Sequence, residues 1–337
     1  MLRFFRRSIF ILLLLFFSGV SFSHPKTTRS LIIKKTLDEW ELRLGLKTGY
    51  LDGEMNYVIK PAPYKSKLDF PLGNWLYGGE ILIGRKPLYL GFEFYKEIWQ
   101  TASGDMEDKD WFLGNLFSYT KSDSEVKLKI QNVYLKFCIW EGKNFWKGIS
   151  EDKYQRLFFL AGYLYERFKY RILGIRNVLA GGSSYEGKEV LAYKAEYTVP
   201  YIGIEGECIY KIDNYSLSKF FKNLGISGYI AGSPYTKAKH RDDHILRNKL
   251  SHGDCDGWAV LAGLKIFIKT NKNWEINFGL DYLNIETDGK QSQYWYGDDP
   301  LSAYDDTGTC IDGIDSVSYT HLRAHETEAD LVCRLLL

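Results

Sequence analysis

Cysteine, proline and histidine are scarce in this 337-residue chain, at five, eight and six residues. So few cysteines cannot make a disulfide scaffold, and no CxxC or Cys/His ligand spacing is present, so no structural metal site is expected. The low proline count excludes a linker-rich or fibrous protein. A one-sided charge is also missing, because 44 basic and 42 acidic side chains leave a formal net charge of +2. Polyanion binding rests on a clustered basic excess, so nucleic acid is not an expected partner. Past the N-terminus no apolar run approaches the roughly 20 residues of a membrane helix. Aromatic rings, by contrast, are abundant: 25 Tyr, 20 Phe and 9 Trp are far too many for a solvated, disordered chain.

Both ends stand apart from the body. Arg3, Arg6 and Arg7 precede the apolar run Ile9 to Phe17 and the small-residue stretch Ser18, Gly19 and Ser21-Phe22-Ser23. That layout reads as a secretory signal over residues 1–23, too short for a spanning anchor. A short N-terminal segment, 24–38, follows. At the other end, VSYTHLRAHET (317–327) and LVCRLLL (331–337) resemble one reading frame of a transposon-type sequencing-library adapter with its primer site. Residues 317–337 are therefore expected to be a non-native tail, and His321, His325 and Cys333 leave the functional argument. Of the remaining cysteines, Cys138 and Cys208 fall in strand-like patterns. Cys255 and Cys310 fall in polar stretches where pairing stays open.

Between the ends, apolar and polar residues alternate with period two. Trp40, Leu42, Leu44 and Leu46 interleave with Glu41, Arg43, Gly45 and Lys47, which gives a strand one greasy and one polar face. Leu88 to Phe94, Val133 to Ile139 and Trp274 to Leu280 repeat the pattern, and nine strand regions are legible in all. A soluble two-sheet sandwich also alternates. The signal, the strand lengths and the aromatic residues near strand ends (Trp40, Tyr50, Trp75, Trp99, Trp140) favour an antiparallel transmembrane β-barrel over residues 39–316. Sheets survive in lipid only when closed, and aromatic rings gather at the interfaces. Such barrels have even strand numbers, so ten strands are expected, with the tenth missing or replaced in this chain.

Two polar clusters can carry chemistry. In Gly104-Asp105-Met106-Glu107-Asp108-Lys109-Asp110-Trp111, expected as a loop after the third strand, Asp108 and Asp110 share a face if the segment is extended. Close carboxylates raise one another's pKa, which suits a pair that holds water and shares a proton. In His240-Arg241-Asp242-Asp243-His244, after the seventh strand, Asp242 and His244 share a face, and a carboxylate beside an imidazole readies it as a general base. Taken singly, each cluster also reads as a solvated, charged loop. In an up-and-down barrel both follow odd-numbered strands and so meet at one rim.

At these residues the chain resembles the omptin family of outer-membrane proteases. Met106-Glu107-Asp108-Lys109-Asp110-Trp111 matches the family's catalytic Asp couple, and Asp242-Asp243-His244 its Asp-His dyad. Val199-Pro200-Tyr201-Ile202-Gly203-Ile204 and Lys67-Leu68-Asp69-Phe70 match two further segments, so the likeness runs from about Leu44 to Asp299. The resemblance implies an outer-membrane endopeptidase without metal, its groove facing outward, that cuts extracellular peptides or proteins. Asp108 and Asp110 would position water, His244 act as base and Asp242 orient it. Glu54 and His240 fall at the family's substrate-binding acids, and His240, not being an acid, weakens the basic preference the family shows. The resemblance also implies a requirement for lipopolysaccharide, with Tyr163 and Arg167 on its binding wall and Glu166 offset by one. A monomer is expected. The alternative reading is a non-catalytic barrel acting as adhesin or surface protein; a solute channel ranks behind both, because ten strands leave a lumen filled by side chains.

Overall fold

A computed structural model describes residues 28–33, 40–142, 153–212, 220–270 and 274–325; the signal expected over 1–23 lies outside these residues. The elements in order are β1 (Thr28–Ile33), β2 (Glu41–Ile59), β3 (Tyr64–Pro71), β4 (Asn74–Arg85), β5 (Leu88–Glu97), β6 (Thr101–Phe112), β7 (Asn115–Gly142), β8 (Lys153–Asn177) and β9 (Ser183–Lys211). Then come β10 (Phe221–His244), one 3-10 turn (Ile245–Arg247), β11 (Lys249–Thr270), β12 (Trp274–Trp295) and β13 (Cys310–His325).

These strands form one antiparallel ring of ten. β3 and β4 are two halves of a single wall strand, both paired to β2. β5 and β6 are likewise two halves, both paired to β7. The ring runs on through β8 to β12 and closes where β13 pairs β12 on one side and β2 on the other. Residues 317–325 of the adapter-like tail thus occupy the tenth position. Their alternation explains it: Ser316, Ser318 and Thr320 turn inward and are fully buried, where Ser318 and Thr320 meet the Tyr197 hydroxyl. β13 reaches down β2 only to Tyr50, and β1 pairs with β2 lower down, at Leu42 to Gly45.

Membrane crossing needs only about 9–11 residues per strand, yet β7, β8 and β9 have 28, 25 and 29 residues. The lower part of the wall carries the lipid-facing band: Ile81, Ile83, Leu90, Phe94, Val133, Leu135, Phe159, Ile202 and Ile204 are all exposed outward. Inside that band the lumen is closed by ion pairs, including Lys47–Glu93 at 2.7 Å, Lys136–Glu205 at 2.6 Å and Arg156–Glu207 at 2.9 Å. Lys47, Lys136, Glu205 and Asp281 also line a cavity of about 110 Å³. Aromatic residues lie flat over glycines here. Tyr134 donates from its hydroxyl to Glu80 at 3.0 Å and covers Gly91, where an added Cβ would stand 2.1 Å from the ring.

The upper part projects past the band as a paired wall. Both polar clusters lie in it, on strands and not on the loops expected from sequence: 104–111 belongs to β6 and 240–244 to β10. Their backbones are satisfied by the ladder, so polar side chains are no obstacle to extended structure. Cys255 and Cys310 do not pair. Cys255 is buried in β11 beside Ser316, and Cys310 is exposed at the start of β13.

Candidate active site

On β6 the period of two puts Met106, Asp108 and Asp110 on one face, with Met106 fully buried. β6 is held between β3 and β7, where Asp108 sits opposite Leu68 and Thr120, and Asp110 opposite Ser66 and Ser118. Burial raises the Asp108 carboxyl well above the usual carboxylate range, and the charges of Asp110 and Asp242 push it the same way. Lys249 and a hydrogen bond from Ser66 oppose the shift without cancelling it. Asp108 therefore keeps its proton at pH values where an ordinary aspartate has lost it. Its Oδ1 is buried and has no hydrogen-bond partner among the described residues.

On β10 the inward face reads Thr236, Ala238, His240 and Asp242, all buried. Asp242 is 1% exposed and its Oδ2 lies 2.8 Å from Nε2 of His244, the last residue of the strand. The other oxygen, Oδ1, is buried and has no hydrogen-bond partner among the described residues. Asp242 acts electrostatically on Asp108, so these two acids, from distant segments of the chain, lie within reach of one another.

His240, one inward position below Asp242, is 3% exposed. Its ring stacks on Tyr57 at 4.6 Å and on Tyr193 at 6.0 Å, and Tyr197 meets it edge-on at 5.9 Å. Nδ1 is 2.7 Å from the Tyr193 hydroxyl. Burial pulls its pKa down to about 3 against the opposing pull of Asp242, so the imidazole is neutral. Glu54 is not brought to these residues. It is exposed, whereas Met55 and Tyr57, on the alternate phase of β2, are buried and Tyr57 reaches the lumen. An offset of one residue in a strand exchanges inside for outside.

Sequence reasoning missed Lys249. It is 7% exposed at the start of β11, opposite His244 in register, and within electrostatic reach of Asp242, Asp299 and Asp108. Burial and the nearby Arg247 hold its ammonium below the ordinary lysine range. The signal was available: counting back by two from the small residues Cys255, Gly253 and Ser251 leads to Lys249 on the same face. Also missed was Arg247, which clamps Asp299 at 2.7 Å beside the mouth.

On the outer wall, Tyr163 is 49% exposed and shares the outward face of β8 with Tyr165, Arg167 and Lys169. Glu166 points inward and is 2% exposed. The register lines up Lys129, Arg167, Glu196 and Lys239 as one row, and Lys127, Lys169, Lys194 and Arg241 as the next. These basic neighbours come from four strands, so no contiguous sequence displays them.

The model described as "Omptin family" matches residues 41–282, a span that takes in β2 to β11, both clusters and the wall between them. The chain belongs to the omptin family. A plasminogen activator of Yersinia pestis is 26% identical over 157 residues, 44% of either chain; the match thus spans under half the length of that relative. The crystal structure of the outer membrane protease OmpT from Escherichia coli superposes with a TM-score of 0.65 at 16% identity, over 87% of this chain and 97% of the other. That likeness carries the barrel fold, and this omptin places its acids and its histidine at the upper mouth of it.

Proposed function

We propose that this omptin is an outer-membrane endopeptidase that hydrolyses peptide bonds of extracellular peptides and proteins with an activated water. The observation that carries the reading is the Asp242–His244 pair at 2.8 Å beside a second, proton-retaining carboxyl, Asp108. Orphaned, buried oxygens on Asp108 and Asp242 are the acceptors that a water held between the clusters needs. In this reading Asp108 and Asp110 position the water. His244 takes a proton from it as its oxygen adds to the scissile carbonyl carbon, and Asp242 stabilises the imidazolium that forms. The proton then passes to the departing amine as the C–N bond breaks, and the Asp108 hydroxyl is a donor for the charge that develops on the carbonyl oxygen.

Lipopolysaccharide is the proposed activator. Tyr163 and Arg167, with Lys129, Lys169, Lys194 and Lys239 in the adjoining register positions, form a basic field just above the apolar band, at the height where lipid phosphates lie. Glu196 sits within it and binds Lys194 at 2.7 Å.

The test is refolding of the full chain with lipopolysaccharide, followed by incubation with a mixed peptide library. Cleavage that vanishes in His244→Ala, with barrel folding verified by heat-modifiable gel migration, supports the reading. A folded wild type that cuts nothing, or an equally active His244→Ala, sinks it and favours a non-catalytic surface barrel.

A further inference from the structure

The inward face of the wall that carries the Asp couple changes character towards its tip. Its rows, read upward across β3, β6 and β7, are Leu68–Asp108–Thr120 and then Ser66–Asp110–Ser118. The next inward positions are Tyr64 on β3 and Phe112 on β6, register partners whose ring centroids are 4.9 Å apart. On β7 the register slips between the partners of Asp110 and Trp111, which leaves Phe117 as an extra residue. A bulge of this kind re-aims a side chain, and the Phe117 ring meets Tyr64 edge-on at 6.5 Å. The three rings line the lip of the groove, about 7 Å above Asp110, the rise of two strand residues.

The lip is held in place and left open. Leu113 and Gly114 turn the β6–β7 hairpin with φ of 49° and 85°, the two-residue geometry that matches strand twist, and the Leu113 N–H donates to the Pro63 carbonyl at 3.2 Å. Leu68 and Phe70, further down the same face of β3, are fully buried, yet Tyr64, Phe112 and Phe117 stay 52%, 39% and 56% exposed. Apolar side chains left uncovered together mark a contact surface. Charge decides what fits it. Segments 60–66 and 111–119 contain no acid, and Lys65 is turned to the outer face, over the Trp111 ring at 4.8 Å. A Lys or Arg laid on the lip would give up water with no carboxylate there to replace it, and exposed rings attract a cation only weakly. An apolar side chain gains by the same move.

We propose that Tyr64, Phe112 and Phe117 form a substrate subsite for a large apolar side chain, such as Phe or Leu, about two residues from the bond that is cut. The rings share one inward face with Asp108 and Asp110, so a peptide lying in the groove is their occupant. An extended chain passing over Asp110 reaches the lip in about two residues. The subsite rests on the endopeptidase reading and names a substrate class for the same groove.

The experiment uses the full chain refolded with lipopolysaccharide and peptides varied at the positions one to three residues either side of the cut, with Phe, Leu, Ser, Glu, Lys or Arg. At one such position kcat/KM for Phe or Leu is expected to exceed that for Ser by about tenfold, the scale on which an apolar contact discriminates. In Tyr64→Ser and in Phe117→Ser that ratio is expected to fall towards one. Tyr64→Phe, which keeps the ring, retains it, as does Lys65→Ser on the outer face of the same strand. A preference for Lys, Arg or Glu at every position, or a Phe-over-Ser ratio that both serine variants leave unchanged, overturns the subsite and leaves the endopeptidase reading intact. So does loss of self-association in Phe117→Ser, seen by sedimentation, with peptide preference unaltered, since the lip would then be a contact between copies. A folded wild type that cuts no peptide refutes the endopeptidase reading itself. Binding of the same peptides to His244→Ala, followed by fluorescence anisotropy, then decides the lip alone: tighter binding of Phe than of Ser peptides upholds it, and equal or reversed affinity refutes it.

Discussion

Asp242 holds His244 through one carboxylate oxygen, at 2.8 Å, and keeps its second oxygen buried and unpartnered. One side chain therefore fixes the imidazole and still offers an acceptor to whatever occupies the groove. Asp242→Asn, which replaces the charge by an amide, should lower kcat by about 10²–10⁴-fold, the usual worth of a positioned acid-base system, with KM little changed. Steady-state kinetics on one cleaved peptide checks this. An equal loss in KM alone would make Asp242 a binding group instead.

Asp108 gives a stability prediction whose sign follows from its raised pKa. The folded state prefers the protonated form, so its stability is full below the ordinary carboxylate range and declines as pH rises through the folded value. Asp108→Asn removes the charge that must be buried. It should raise the melting temperature at neutral and alkaline pH, leave it unchanged near pH 3, and abolish cleavage. Melting followed by circular dichroism over that range tests it; parallel curves for the two proteins would count against a buried carboxyl.

His240 behaves in the opposite sense. Its folded pKa is depressed to about 3, so its contribution is present above the ordinary histidine range and is lost as pH falls from there towards 3. His240→Gln should flatten that part of the acid-stability curve. An unaltered curve would show that the ring is not buried as neutral imidazole.

The outer wall predicts a graded response to lipid. Arg167→Ala or Lys129→Ala should each raise the lipopolysaccharide concentration for half-maximal activity about fivefold, since a basic residue near a lipid surface is worth about 1 kcal/mol. Titration of refolded protein measures it. Identical titration curves would remove these residues from the lipid site.

For the barrel itself, Gly91→Val places side-chain atoms where the Tyr134 ring lies, 2.1 Å from the ideal Cβ. Overpacking of this kind costs about 1–3 kcal/mol, to be read from urea unfolding in detergent. A wild-type midpoint would mean that Tyr134 does not cover the glycine.

How much of this was legible follows from the medium around each strand. Val133 to Ile139 and Trp274 to Leu280 face lipid on one side, so their alternation is plain in the sequence. The upper wall has water on its outer side and a polar groove on the other, and β6 reads as a charged loop although Asp105 to Asp110 pair in unbroken register with β7 and Glu107 to Phe112 with β3. That Asp108 shares a face with Asp110, and Asp242 with His244, was legible because spacing by two survives that change of medium. Glu54 went astray because motif position does not fix which phase of β2 points inward. The rows around Arg167, and the alignment of Tyr64 with Phe112, are properties of register between strands, on which no local stretch bears.

The groove is cut into paired strands and carries its reactive groups on every second residue. Evolution can therefore refit the mouth one inward position at a time, giving it a new taste for peptides while the lipid-facing surface stays as it was. Adding or removing a single residue is a different matter, since beyond that point the wall would be turned inside out. Diversification in such a shell should run through replacements, with length changes kept to the hairpin tips.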